Sequence, residues 1–392
     1  MVNFRRIMMT TVVTGLGIIG PGFNNVNQLS TILKNVTVVL KLEKLKRLEI
    51  YTGRVKDEEI SMNLFPSMFK KLPKAARLLL HACHEAVNMA GFDVEDGRTA
   101  VIIGTSGGAI DETIQLARNQ EQETSVFHIG NMNSYSLASA VSAAFKANGP
   151  SYCLTNSCPS GLQSIELGKM MIESGQADRV IAGATDSTLE SLILESFSKL
   201  NVLHNDSAIQ PGPFKGTGFS MSEGAGVLIL ENEDLALKRK ASIYGKIGAC
   251  ISNQDAKSPY KSDKNGNQLL YAVDRCLAEG YPNYINSQAL GITQNDSIEK
   301  SIYQQRFAER DIPITSIKGM VGHSMGASGM FQAVSTLISI NEQFIPPAVN
   351  CDEQVIESLN IVTDRIDQPI NHVLITSQGY GGTNSSMVIK RE

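Results

Sequence analysis

The sequence predicts an α/β fold with largely parallel sheets. Short runs rich in valine and isoleucine alternate with longer segments of helical spacing. The alternation runs the length of the chain, and glycines close many of the segments. No proline- or serine-rich linker interrupts it, so the chain is expected to pack as one body.

At 392 residues the chain is long for one ordinary domain and short for three. Hydrophobic residues make up 42% and charged residues 19%, which suits a large core. The net charge of −4 is mild and no basic block exceeds a few residues, so no nucleic-acid partner is expected. No apolar run approaches the roughly 18 residues of a membrane span, so no membrane partner is expected either. The opening "MVNFRRIMMTTVVTGLG" is broken by threonine and glycine and reads as a first strand, not a signal peptide. Cysteines at 83, 153, 158, 250, 276 and 351 form no C-x-x-C pair and fit neither a zinc site nor a disulfide scaffold. A reduced, cytoplasmic chain without metal or cofactor is the expectation.

The elements follow in order. "TVVTGLGIIG" (11–20) is an apolar strand. Residues 40–72 are lysine-rich with irregular periodicity and are assigned to surface excursions. Residues 73–92 space Leu79, Ala82, Ala86, Val87 and Ala90 as a helix ending at Gly91. "RTAVIIGTSGG" (98–108) is a buried strand, and 136–149 a small-residue helix closed by Gly149. A strand at 151–157, a helix at 160–178 and a strand at 179–187 follow. The second half repeats this grammar: strands at 224–232, 241–250 and 284–290, an apolar helix at 326–340, and two strands around a glycine-rich loop at 372–390.

The segment "NSCPSG" (156–161) places Cys158 between a strand and a helix, with Pro159 at the first helical position. A helix N-terminus stabilises a thiolate, and Gly161 permits close backbone approach. Cys158 is thus either a nucleophile or a buried structural thiol, the usual fate of a free cysteine; Cys153 reads as plain core. A nucleophile needs a base or a charge-stabilising partner. Among six histidines, His81 and His84 share one helix as surface or packing residues, and His128, His204 and His372 lack a supporting motif. His323 lies in "KGMVGHSMGASGM" (318–330), crowded by small residues, with Lys318 five positions earlier. It is either structural or placed where something must come close.

Together these segments resemble the β-ketoacyl-acyl carrier protein synthases, elongating condensing enzymes of the thiolase-like superfamily. "VVTGLGIIGP" is similar to the family's opening strand and "GPSYCLTNSCPSG" to its nucleophile segment, with Cys158 in the cysteine's place. "GFSMSEGAGVLILE" (218–231) matches a further family stretch, and "KGMVGHSMGASG" the lysine–histidine loop, with Lys318 and His323 on the catalytic lysine and second histidine. "GYGGTNSS" (379–386) resembles the glycine-rich loop beside the active site; Tyr380 stands where a gating phenylalanine is usual, followed by Gly381 and Gly382.

The resemblance implies a thiolase-like five-layered α-β-α-β-α sandwich of two similar halves, 11–235 carrying Cys158 and 236–392 carrying Gln288, Lys318 and His323. It implies an obligate dimer, with itself or with a second ketosynthase subunit, and acyl carrier protein as partner. It also implies a reaction. An acyl chain moves from the carrier to the cysteine; a malonyl-carrier protein loses carbon dioxide; the carbanion attacks the thioester. Two histidines normally stabilise the enolate oxygen, and backbone N–H groups, the cysteine's included, form the oxyanion hole.

The sequence departs from the family's pattern at several points. The first histidine belongs in N-A-H-G-T-x-T; "NSQALGIT" (286–293) puts Gln288 there. Glutamine donates a hydrogen bond but transfers no proton near neutral pH. Gln332 stands where a glutamate usually pairs with the lysine, which implies a lysine without countercharge. "PFKGTGF" (213–219) replaces a charged stretch, and Gln378 an aromatic residue. Three readings follow: a silent, chain length factor-like partner of a heterodimeric synthase; an active condensing enzyme with a Cys158–Gln288–His323 site; or a non-catalytic carrier-protein or lipid-binding scaffold. The first ranks slightly above the second, although such partners often replace the cysteine too. The third ranks well below both.

Overall fold

In the computed structural model of the chain, residues 9–45, 48–92, 94, 98–118 and 125–392 are described. Residues 1–8, which precede the predicted first strand, lie outside them. Ten strands build the main sheet: β1 (Thr11–Ile19), β2 (Thr99–Thr105), β3 (Ser151–Thr155), β4 (Arg179–Asp186), β5 (Gly224–Asn232), β6 (Gly245–Gln254), β7 (Tyr284–Asn286), β8 (Ile314–Thr315), β9 (His372–Gly379) and β10 (Thr383–Lys390). Seven helices position the site: α1 (Lys74–Ala90), α2 (Tyr135–Phe145), α3 (Ser160–Glu173), α4 (Asn267–Leu277), α5 (Thr293–Phe307), the short α6 (Lys318–Val321) and α7 (Ser328–Glu342).

The strand order is β8-β7-β9-β10-β6-β1-β5-β4-β2-β3. From either edge inward, each set of five follows the same chain order, third, second, fourth, fifth, first. The two sets meet where β1 pairs antiparallel with β6, Val12 opposite Lys246 and Val13 opposite Gly245. The expectation of largely parallel sheets is corrected here. Only the outer strands of each set are parallel; the inner pairings are antiparallel. One cause is visible at β9 and β10, joined by Tyr380, Gly381 and Gly382 alone, a link too short for a parallel crossover.

The apolar runs explain the layering. Along β2, Ala100 and Ile102 enter one core cluster while Val101 and Ile103 enter another. Alternation sends both faces into apolar surroundings, so both must be covered. Helices α1 and α2 pack on the outer face of the first five strands. Helices α4 and α5 share a core with β7 to β10 in the second five. Between them lie α3 and α7, in contact with each other and with strands of both sets. The result is the five-layered α-β-α-β-α sandwich. Every residue of α7 from Ser328 to Ile340 is buried, as a helix enclosed on all sides requires. The α3–α7 crossing depends on Gly161: a Cβ there would fall 2.9 Å from both the Gly326 carbonyl oxygen and the Met330 nitrogen.

Other differences from the sequence reading are local. The helix predicted over 136–149 ends at Phe145, because Lys146 turns left-handed at φ 54° and caps it before Gly149. The strand expected at 241–250 runs from 245 to 254. The stretch 40–72 is not merely surface: it holds a hairpin, Lys41–Leu45 with Leu48–Thr52, and buries Ile50, Val55, Met62, Phe65 and Phe69. Its single apolar residues dock on cores built elsewhere, so no period marks them.

Candidate active site

Cys158 sits in the turn between β3 and α3 and is buried. The turn is made by Ser157, whose φ of +61° is uncommon for a residue with a Cβ. Ser160 holds it closed: its hydroxyl accepts the Asn156 N–H at 2.9 Å and donates toward the Ser157 carbonyl at 2.7 Å. The helix begins at Ser160, as the sequence suggested, but Pro159 occupies its N-cap and not its first helical position. The expected thiolate stabilisation is outweighed. Burial pushes the Cys158 thiol above its ordinary range; the Ser157 hydroxyl and the Lys318 charge pull it down, and the Asp186 charge pushes it up.

His323 comes from the opposite half, with Nε2 3.2 Å from Cys158 Sγ. The "GFSMSEGAG" stretch fixes it. The His323 N–H donates to the Ser220 carbonyl at 2.8 Å, Ser222 N–H donates to the His323 carbonyl at 2.9 Å, and Phe219 packs edge-on at 5.1 Å. Burial, then the Lys318 charge, holds the imidazole well below its usual range, so it is neutral. A neutral imidazole beside a thiol can accept its proton at Nε2.

Lys318 opens α6, buried, with no hydrogen-bond partner on Nζ among the described residues. Burial lowers its pKa to about 8, opposed by the charges of Glu299, Cys158 and Asp296. No ion pair to Lys318 forms among the described residues, and the Glu299 and Asp296 charges act on it only from beyond ion-pair distance. Gln332 donates its amide to the Asn286 and Thr376 carbonyls at 3.0 and 3.1 Å. Glu299 accepts from Ser287, Tyr303, Thr376 and the Gln288 N–H. Burial, and repulsion from Glu299, raise Asp296 to about 7, against bonds from three backbone N–H groups.

Gln288 lies just beyond β7, fully buried. Its amide nitrogen donates to the Gln378 carbonyl and its oxygen accepts from Ser377, both at 3.2 Å. None of its hydrogen bonds reaches Cys158. The Gln378 amide donates to the Asn295 carbonyl at 3.3 Å. In the β9–β10 loop, Tyr380 is 56% exposed, while its backbone N–H donates to Ser157 Oγ at 3.1 Å. Gly381 and Gly382 carry positive φ of 81° and 87°.

Sequence reasoning missed Asp186, Asp296 and Glu299. Asp186 ends β4 fully buried and accepts from Thr105 Oγ1 and the N–H groups of Ser106, Gly107 and Gly326, binding the turn after His323 to the first half. Burial lifts its pKa to about 6. An acid closing an otherwise apolar strand, "VIAGATD", was its signal; acids at i and i+3 just after "NSQAL" were the signal for the other two.

A five-layered sandwich with a buried cysteine and a histidine meeting across its two halves defines a thiolase-like protein. A family profile described as "Beta-ketoacyl synthase, N-terminal domain" matches residues 9–236, and "Beta-ketoacyl synthase, C-terminal domain" matches 244–352. The chain belongs to the β-ketoacyl synthase family. It is 26% identical to the tetracenomycin polyketide synthase ketoacyl synthase alpha subunit of Streptomyces glaucescens, over 99% of this chain and 98% of that one. It is 26% identical to 3-oxoacyl-[acyl-carrier-protein] synthase 2 of Staphylococcus aureus (strain N315), over 97% and 98%. The ishigamide ketosynthase/chain length factor superposes with a TM-score of 0.88 at 20% identity, covering 98% of this chain and all (100%) of that one. No helix among the described residues is long and apolar enough to cross a membrane.

Proposed function

We propose that this chain is a chain length factor-like subunit of a heterodimeric ketosynthase, working with acyl carrier protein in fatty acid or polyketide elongation. The observation that carries it is the amide of Gln288. It stands where the family's first histidine is expected, cannot transfer a proton, and is committed to Ser377 and Gln378. The chain is read as two halves, 11–235 and 236–392, supported by the repeated strand order. Cys158, His323 and Lys318 are read as the remaining acyl-transfer groups, and Tyr380, Gly381, Gly382 and Gln378 as the substrate-side loop. A cytoplasmic setting is supported by six unpaired cysteines.

The second reading, an active Cys158–Gln288–His323 enzyme, is favoured by the 3.2 Å approach of His323 to Cys158. Measuring chain elongation by the purified protein alone, and again with a candidate partner synthase that copurifies with it, separates the two. Activity only in the mixture supports the first. Elongation by the protein alone at roughly 1 s⁻¹ or more establishes the second.

A further inference from the structure

We infer that Ser157 is a positioning residue that couples the β9–β10 loop to the thiol, its hydroxyl accepting from the Tyr380 amide and donating to Cys158 Sγ. The inference rests on reading Cys158 as the reactive thiol of the site.

Four observations meet at this residue. Ser157 Oγ lies 3.8 Å from Cys158 Sγ, within reach of a hydrogen bond to the large sulfur atom. The same oxygen accepts the Tyr380 N–H at 3.1 Å. A hydroxyl has one proton to give and lone pairs to receive, so both bonds form at once, running from loop amide to hydroxyl to sulfur. The left-handed backbone of Ser157 aims the hydroxyl there; at φ +61° the residue carries strain that an ordinary turn would avoid. The neighbouring residue makes a second tie, Thr383 Oγ1 donating to Asn156 Oδ1 at 3.3 Å. The loop closes this tightly only because position 379 is glycine. A Cβ there would fall 2.7 Å from Pro159 Cδ and 3.1 Å from both Cβ and Oγ of Ser157.

The thiol's other charged or titratable neighbours are His323 at 3.2 Å, the buried Lys318 and the Asp186 carboxylate. None of these belongs to the loop. Ser157 is thus the link through which a movement of residues 379–382 changes the thiol. While the loop is seated, the hydroxyl is polarised by an N–H donor and stabilises the thiolate. When the loop lifts, the hydroxyl loses its donor and the thiol becomes harder to ionise.

The test is the pH profile of Cys158 alkylation by iodoacetamide, read by peptide mass spectrometry because the chain has five other cysteines. The reaction needs no carrier protein, partner subunit or condensing activity. Ser157→Gly removes the hydroxyl and relieves the backbone; Ser157→Ala removes it and keeps the strain. Both variants are expected to shift the alkylation midpoint upward by the same amount and to slow alkylation near neutral pH about tenfold, the worth of one hydrogen bond to a charged group. Gly379→Ala, which pushes the loop away with Ser157 intact, is expected to shift it in the same direction. An unmoved midpoint in both Ser157 variants, or a shift in only one, overturns the coupling. A native Cys158 that never alkylates overturns the reading of the thiol itself, and the coupling with it.

Discussion

Ser377 and Gln288 hold one another side chain to side chain, Ser377 Oγ donating to Gln288 Oε1 at 3.2 Å, and the Gln288 amide nitrogen is spent on the Gln378 carbonyl. Gln288→His removes this clasp and adds a group that titrates near neutral pH. A positioned acid–base group is worth about 10²–10⁴ in rate. The variant is expected to release carbon dioxide from malonyl-carrier protein measurably faster than the native protein does alone. Equal rates would show that Gln288 is not what limits decarboxylation.

Cys158 is pushed above its ordinary range by burial, and His323 is held neutral. Alkylation of Cys158 is therefore expected to be slow at neutral pH and to climb into the alkaline range. No inflection is expected between about pH 5 and 7, where an ordinary histidine would titrate. An inflection near pH 6.5 would mean that His323 carries a proton in the resting site.

Lys318 has its pKa lowered from 10.5 to about 8. Below about pH 8 both folded and unfolded chains hold the proton, and the cost of burying the charge is full. Between about 8 and 10.5 the unfolded chain holds more protons, so this contribution to stability improves as pH rises. Lys318→Met removes the cost. The variant is expected to gain on the order of 3 kcal/mol at neutral pH, a gain that fades toward pH 10.5 in urea unfolding experiments. A variant less stable than the native protein at neutral pH would contradict this.

β3 lies at one edge of the sheet with Tyr152 exposed, and Tyr135 at the start of α2, the helix that packs on β3, is exposed as well. An open edge beside apolar side chains is a surface that folded proteins cover. The stretch 136–155 is expected to lie against a second subunit, identical or not. Light scattering is expected to give a dimer, and Tyr152→Asp to weaken it by at least tenfold. A stable, soluble native monomer at micromolar concentration would count against this face.

The fold class was legible because strands such as "RTAVIIGTSGG" carry apolar residues on both faces, which only a sheet covered on both sides explains. Helix α1 was legible from its period and from Gly91. Helix α5 was not: its face toward the core includes Asp296, Glu299 and Tyr303, so its buried side looks polar. Cys158 and His323 were legible as motifs, and the structure places them in contact. The orientation of Gln288 was not, because it depends on Ser377 and Gln378, about ninety residues away. The thiol's ionisation was misjudged because sequence shows the helix that follows a cysteine but not the depth of its burial.

The thiol follows β3 and the imidazole follows α6, and they are brought together by the backbone bonds of His323 to Ser220 and Ser222, by Asp186 on the Gly326 N–H, and by the packing of α3 on α7. The reactive pair is therefore a coincidence detector for the assembled molecule. A fragment carrying Cys158 without residues 318–330 has the nucleophile but no partner for its proton. Alkylation of Cys158 is thereby a probe of whether the two strand sets are docked.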